Sequence, residues 1–125
     1  MKKPVTTWDE WHQRHRRFPG VEYCVELLKR RNTQGELVDT ICGVLEENAI
    51  EHVDKLLAAV DQDENLPVRI MLLGVIENAA LEIAIPFWSG LLSGSDSTER
   101  LYAARALKRI DTKESRRSLW QAGEK

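Results

Sequence analysis

One helical stretch of this chain recurs 31 residues further along the sequence. Residues 69–76 align with residues 100–107, and the register continues beyond them. The pairs that it brings together are Arg69 with Arg100, Leu73 with Ala104, Ile76 with Leu107 and Trp88 with Leu119. A period of this length is typical of helical solenoids, whose units bury their apolar faces only by stacking on their neighbours. We therefore predict an all-α chain folded as a short α-solenoid, an architecture that usually serves binding.

The spacing of apolar residues indicates helix along the whole chain, because every periodic segment repeats at a helical interval and none alternates as a strand would. We predict about eight short helices arranged as antiparallel hairpins. The first would open at Thr7, in a capping box with Glu10, and run to about Phe18. The second would have Pro19 in its first turn. Its apolar stripe would consist of Val21, Cys24, Val25 and Leu28.

Two further capping signals predict the starts of the third and fourth helices. Residues 33–36 form a Thr-x-x-Glu box, and Asn48 with Glu51 repeats that logic. The third helix would carry Leu37, Ile41, Val44 and Leu45. The fourth would bury Ile50, Val53, Leu56, Leu57 and Val60, the cleanest amphipathic pattern in the chain.

The second half of the chain predicts four more helices. One begins near Leu66, after an acidic loop over residues 61–65, and the next covers about residues 81–92, with Pro86 either beginning or bending it. The last two would end near Ile110 and Trp120. Their predicted caps are Asp96 with Glu99, and Asp111 with Glu114.

Residues 91–110 resemble a HEAT-like repeat in its short form of about thirty residues. They have the paired leucines, the turn containing Asp96, an early Arg100 and the small pair Ala103 and Ala104. The preceding unit is a weaker match, with extra residues in its turn and Leu-Leu where small residues are expected. The likeness covers roughly residues 50–120 and implies a right-handed stack of about four helical hairpins. HEAT-like arrays include scaffolds, inhibitors, lyase subunits and nucleic-acid binders, so the resemblance alone selects no function.

Length and composition favour a single cytoplasmic domain. The 125 residues suffice for one domain with its own core. The N-terminal residues lack the apolar run of a signal peptide, and the longest apolar stretch, residues 70–76, is too short for a membrane span. Cys24 and Cys42 lie within helical patterns, so we expect buried thiols in a reducing compartment.

Charge is strongly segregated along the chain. Residues 1–31 carry a net charge of +4, residues 32–99 carry −11, and residues 100–125 carry +5. An acidic centre of this kind suits a basic protein partner, because its field speeds association. A solvated acidic face is the simpler alternative. The carboxylates expected to form the surface are Glu46, Glu47, Glu51, Asp54, Asp61, Asp63 and Glu64.

No catalytic, metal or cofactor motif is found. The sequence lacks a nucleophile elbow and a glycine-rich phosphate loop. His12 and His15 lie three apart on one predicted helix, but their arginine-rich surroundings favour a solvated basic face over a metal site. Trp8 and Trp11 are expected to cap the open end of the solenoid, with an aromatic binding patch as the alternative. We expect no enzyme and no cofactor.

Two basic clusters raise the alternative of nucleic-acid binding, although the acidic centre would repel a duplex laid along the array. The first consists of Arg14, Arg16, Arg17, Lys29, Arg30 and Arg31. The second consists of Arg105, Lys108, Arg109, Lys113, Arg116 and Arg117. Basic ends of this kind are more often solvated faces or intramolecular partners of acidic segments.

These observations predict a non-catalytic protein-binding module that neutralises a basic partner. Among HEAT-like proteins, the resemblance allows an immunity protein that blocks a bacterial nuclease toxin through the acidic surface. Trp88 or Trp120 would serve as its aromatic anchor. The alternatives are a scaffold or adaptor in a larger complex, a nucleic-acid-binding repeat protein, and an accessory subunit of lyase type. The oligomeric state is not predicted.

Overall fold

In the computed structural model, residues 18–30, 35–62 and 66–123 are described, and they form helices joined by short turns. These ranges contain seven α-helices and no strand, which confirms the all-α prediction. The helices are α1 (Val21–Lys29), α2 (Gly35–Glu47), α3 (Val53–Gln62), α4 (Leu66–Ala79), α5 (Ile85–Leu92), α6 (Ser97–Ile110) and α7 (Lys113–Gln121). A short 3-10 helix, η1 (Glu82–Ala84), precedes α5. The predicted first helix from Thr7, with Trp8, Trp11, His12 and His15, lies outside the described residues.

Contacts divide the chain into two compact units whose boundary falls between Val75 and Ile76. In the first unit, α1 contacts both α2 and α3. The stripe predicted for α1, Val21, Cys24, Val25 and Leu28, is buried as expected. Leu37, Ile41 and Leu45 of α2 and Val53, Leu56 and Val60 of α3 complete the apolar core. The prediction of a single domain over residues 1–125 stays a prediction.

The start of α3 differs from the prediction. Helix α3 begins at Val53, and Asn48 does not cap it. Instead the Asn48 side-chain amide donates to the carbonyl of Val44 at 2.8 Å, which satisfies one of the free carbonyls at the end of α2. The small Ala49 is buried in the turn that follows, and Ile50 is 70% exposed. The predicted capping box at Asn48 and the burial of Ile50 are therefore wrong.

In the second unit α6 contacts α5 and α7, and α5 also contacts α7. Trp88 of α5 is fully buried, and Leu107 of α6 and Leu119 of α7 are buried as well. Small side chains at Ala103 and Ala106 leave room for bulky neighbours on the inward face of α6. Pro86 lies in the first turn of α5, which decides between the two roles predicted for it.

One helix cap of this unit is confirmed and another is corrected. The Asp96 carboxylate accepts from the Glu99 backbone amide at 2.9 Å and caps α6 as predicted. Asp111, predicted to begin the last helix, instead ends α6 in a left-handed conformation with φ of 52°. Thr112 is the N-cap of α7, in a reciprocal capping box with Ser115. Because aspartate tolerates the left-handed conformation, Asp111 can end α6. The adjacent Thr112 then serves as the N-cap of α7.

The 31-residue spacing seen in the sequence recurs in local structure. Helices α4 and α6 each have 14 residues, and Ser97 lies 31 positions after Leu66. The residues that follow them, Ala80 and Asp111, both have positive φ, 50° and 52°. The paired positions Leu73 and Ala104, Ile76 and Leu107, and Trp88 and Leu119 are all buried. The two segments thus correspond in helix length, termination and burial.

Candidate functional site

Exposed carboxylates are concentrated in the first unit, at the end of α2, in the turn that follows and on α3. Glu47, Glu51, Asp54 and Asp61 are all exposed, and we refer to these four as the acidic ridge. Asp54 and Asp61 lie seven residues apart on α3, so they share one side of that helix at a separation of roughly 10 Å along its axis. Helix α3 extends through Gln62, so Asp61 belongs to a helix and not to the predicted loop.

The ridge carboxylates have no cation paired with them within residues 18–30, 35–62 and 66–123. Lys55 is about 100° from Asp54 around α3, and its ammonium is 3.7 Å from a carboxylate oxygen of Glu22. Both of these side chains are well exposed, so their ion pair contributes little stability. The negative charge of the ridge is therefore exposed to solvent.

Ile50 is the functional candidate that the sequence analysis missed. It lies in the turn between Glu47 and Glu51 and exposes 70% of its surface. Because Ile50 lies three residues before Val53, which is a helical interval, the sequence pattern placed it in the buried stripe of α3. The available signal was Asn48, because an asparagine directly after the last periodic residue often marks the end of a helix.

The other predicted site residues lie in different environments. Glu46 is half-buried, and Asp63 and Glu64 fall outside the described residues. Trp88 belongs to the core of the second unit, and its indole N–H has no hydrogen-bond partner in the described part of the chain. Trp88 is therefore a core residue of the second unit and not an exposed contact. Trp120, 72% exposed on α7, remains available as an aromatic contact.

Part of the second basic cluster is used inside the second unit. The buried carboxylate of Glu77 accepts from Arg105 Nη2 at 2.6 Å and from Arg109 Nη2 at 3.3 Å. The hydrogen bond to Glu77 raises the pKa of Arg105 further above its ordinary value. The Arg105 guanidinium also lies 4.7 Å from the centre of the Tyr102 ring. Arg105 and Arg109 therefore pair with a buried carboxylate of the same chain. This agrees with the alternative in which the basic residues are intramolecular partners of acidic segments.

The cysteine thiols are protonated groups of the first unit. Burial raises the pKa of Cys24 to about 12, with a smaller contribution from Cys42. Burial likewise raises the pKa of Cys42 to about 11, and Glu46 and Asp39 add to the effect. Neither thiol is therefore activated toward nucleophilic chemistry at neutral pH.

A shallow groove of about 330 Å³ lies along the surface between α1 and α3. The described residues that line it are Val21, Glu22, Val25, Lys55, Ala58, Ala59 and Gln62. Among them no pair of side chains has the arrangement of a nucleophile and a base. The groove borders the Glu22–Lys55 ion pair and contains none of the ridge carboxylates.

The described part of the chain holds no group of three or more His, Cys, Asp or Glu side chains placed to bind a metal ion. Within the same residues, every helix is too short or too polar to cross a membrane. Comparison of the chain with protein-family models, curated proteins and solved structures finds no match.

Proposed function

We propose that this chain is a non-catalytic protein-binding module that neutralises a basic protein through the acidic ridge. The observation that carries the proposal is the exposed Ile50 flanked by the exposed Glu47 and Glu51. An apolar residue surrounded by charge is the usual composition of an interface, in which a desolvated centre lies within a polar rim.

Each part of this surface has a separate physical role. The ridge carboxylates lack internal cation partners in the described residues, so their field extends into solvent and accelerates encounter with a basic partner. Ile50 contributes to affinity by leaving water, which is worth about 1.5–3 kcal/mol for a side chain of its kind when it is fully buried.

The more specific proposal is an immunity protein that inhibits a bacterial nuclease toxin in the cytoplasm. A nuclease needs a basic surface, because it must hold phosphates. The ridge carboxylates would lie where phosphates bind and would exclude the substrate both sterically and electrostatically. This proposal requires no catalytic group, metal or cofactor in the chain.

The proposed architecture is a HEAT-like stack of helical hairpins, as the resemblance of residues 91–110 implies. It is supported by the matching lengths of α4 and α6 and by the left-handed residue that ends each of them. Stacked hairpins would provide a rigid support for a surface of charged side chains.

The test is affinity capture from the source cytosol with this protein as bait, at low and at high salt. The adjacent reading frame would be co-expressed as a companion. We expect a single stoichiometric basic protein that is lost at high salt and is toxic when expressed alone. A neutral partner retained at high salt would instead establish a scaffold or adaptor.

The ridge is tested by the double variant Glu51→Ala/Asp54→Ala. Truncating one side of desolvated charge pairs costs about 2–5 kcal/mol of binding free energy. The matched control is Glu26→Ala/Asp39→Ala, which removes the same charge from exposed positions of the same unit that are not part of the ridge. Equal affinities for the two double variants would remove the ridge from the interface.

A further inference from the structure

The outward face of α7 combines cations with an exposed aromatic ring. Successive residues of an α-helix are 100° apart, so Lys113, Arg116, Arg117 and Trp120 lie within one arc of about 100°. All four are exposed, and Trp120 has 72% of its surface in solvent. Ser115 and Leu119 are buried on the opposite side of the helix. We refer to these four residues as the basic aromatic face.

The cations of this face are available to a ligand. Lys113 and Arg117 form no ion pair with any residue of the described ranges. Arg116 Nη1 lies 2.8 Å from Asp111 Oδ1. Because both side chains are more than half exposed, this ion pair is weak and exchangeable. Glu114, the carboxylate of α7, lies at the edge of the face and not within its arc.

A basic aromatic face of this kind fits single-stranded nucleic acid. The indole ring offers a surface on which an unpaired base stacks, and ammonium and guanidinium groups contact the flanking phosphates. A duplex fits less well, because its bases are already stacked and out of reach of a ring on a convex helix. The net charge of −11 over residues 32–99 also disfavours a long nucleic acid running along the molecule.

We propose that the basic aromatic face of α7 binds a short segment of single-stranded RNA or DNA, by base stacking on Trp120 and phosphate contacts to Lys113, Arg116 and Arg117. This site lies in the second unit and has the opposite charge to the acidic ridge. It is therefore independent of the proposed neutralisation of a basic protein.

The test is fluorescence anisotropy of labelled oligonucleotides of about 12 nucleotides, within the usual site sizes of single-strand binders. Oligo(U), oligo(dT) and a duplex of equal length are titrated with the full chain at several salt concentrations. We expect Kd values of about 1–100 μM for the single strands, and weaker binding of the duplex. Comparing oligo(U) with oligo(dT) shows which of the two nucleic acids is preferred.

Variants separate stacking from charge. Trp120→Ala is expected to weaken single-strand binding about tenfold, and Trp120→Phe to retain most of it. Lys113→Ala and Arg117→Ala should each lower the slope of log affinity against log salt by about 0.7. Lys55→Ala is the matched control, because it removes an exposed helical lysine from the first unit and should leave binding unchanged.

Several outcomes would overturn the proposal. One is no anisotropy change at about 100 μM protein, and another is equal binding by Trp120→Ala and the unaltered chain. Tight binding of an acidic protein, or self-association abolished by Trp120→Ala, would assign the face to a protein partner instead. Glu51→Ala/Asp54→Ala should still bind the oligonucleotide, so failure of one proposal does not imply failure of the other.

Discussion

Two nitrogens of Arg105 donate to a single carboxylate oxygen of Glu77, Nη2 at 2.6 Å and Nε at 3.2 Å. The Glu77 side chain is only 4% exposed, whereas half of the Arg105 side chain remains in solvent. The second oxygen of Glu77 is bound by Arg109. A buried anion in the second unit is therefore neutralised by cations that come from α6.

The stability of the second unit should depend on these arginines more than their exposure implies. Arg105→Ala/Arg109→Ala leaves the Glu77 carboxylate buried without its cations. We expect the free energy of unfolding to fall, because the buried carboxylate is left without the cations that compensate its charge. Chemical denaturation followed by circular dichroism measures it. Arg117→Ala, an exposed arginine of the same unit, should change stability by less than about 0.5 kcal/mol. Similar losses in both variants would contradict this role.

The buried thiols predict a loss of stability at alkaline pH. Folding raises the pKa of Cys24 from 9.0 to about 12, because the buried site disfavours the thiolate. Above pH 9.0 the unfolded chain releases this proton while the folded chain retains it. The stabilisation is thus complete below that pH and is lost as the pH rises toward 12.

Denaturation curves at about pH 8 and about pH 10.5 measure this dependence on either side of the unfolded-state pKa. Cys24→Ala should lose less stability than the unaltered chain between those two pH values. Because the variant changes only one thiol, the contributions of lysine and tyrosine cancel in the comparison. The same pH dependence in both proteins would show that Cys24 is not buried as described.

The corrected cap of α7 has its own test. Thr112→Ala removes the hydroxyl that accepts from the Ser115 amide at 3.1 Å. We expect the free energy of unfolding to fall by about 1 kcal/mol, and Thr112→Asp to restore most of it. Thermal denaturation compares the three proteins. An unchanged melting temperature for Thr112→Ala would return the capping role to Asp111.

Ile50 and Ala49 are neighbours with opposite exposure. Ile50→Ala should leave the free energy of unfolding within about 0.5 kcal/mol, because the side chain is exposed. The same change should weaken binding of the basic partner at least tenfold, since Ile50 is the apolar centre of the proposed interface. Isothermal titration calorimetry with the captured partner measures that affinity. Ala49→Leu should instead destabilise the fold by about 1–3 kcal/mol through overpacking, and the reverse pattern would place Ile50 in the core.

The helical content was predictable because apolar residues recur at one period along the chain. The stripe of α1 followed from that pattern, and the start of α4 followed from it together with the position of Pro67. The placement of Pro19 in the first turn of α1 was wrong, because α1 begins at Val21 and Gly20 is its N-cap. The errors occurred where two adjacent residues suit one role or where one residue suits two roles. Asp111 and Thr112 are both good N-caps, and Asn48 suits either end of a helix, so contacts outside the local sequence decide.

The candidate site was less predictable than the helices. Trp88 and Trp120 both follow helical spacing, yet one is buried and the other is exposed. Burial of an aromatic side chain depends on which helix packs against it, and that information is not local. In the 31-residue register, Trp120 corresponds to Ser89 and not to Trp88.

Helix α7 is held to its unit mainly by Leu119, by the buried Ser115 and by the hydrogen bond between Ser118 and Ser89. Because this apolar contact is small, we expect α7 to open locally more readily than α6. Its amides should exchange with deuterium sooner than those of α6. A ligand on its outer face would slow that exchange, so occupancy and local folding of the C-terminal helix would be thermodynamically coupled.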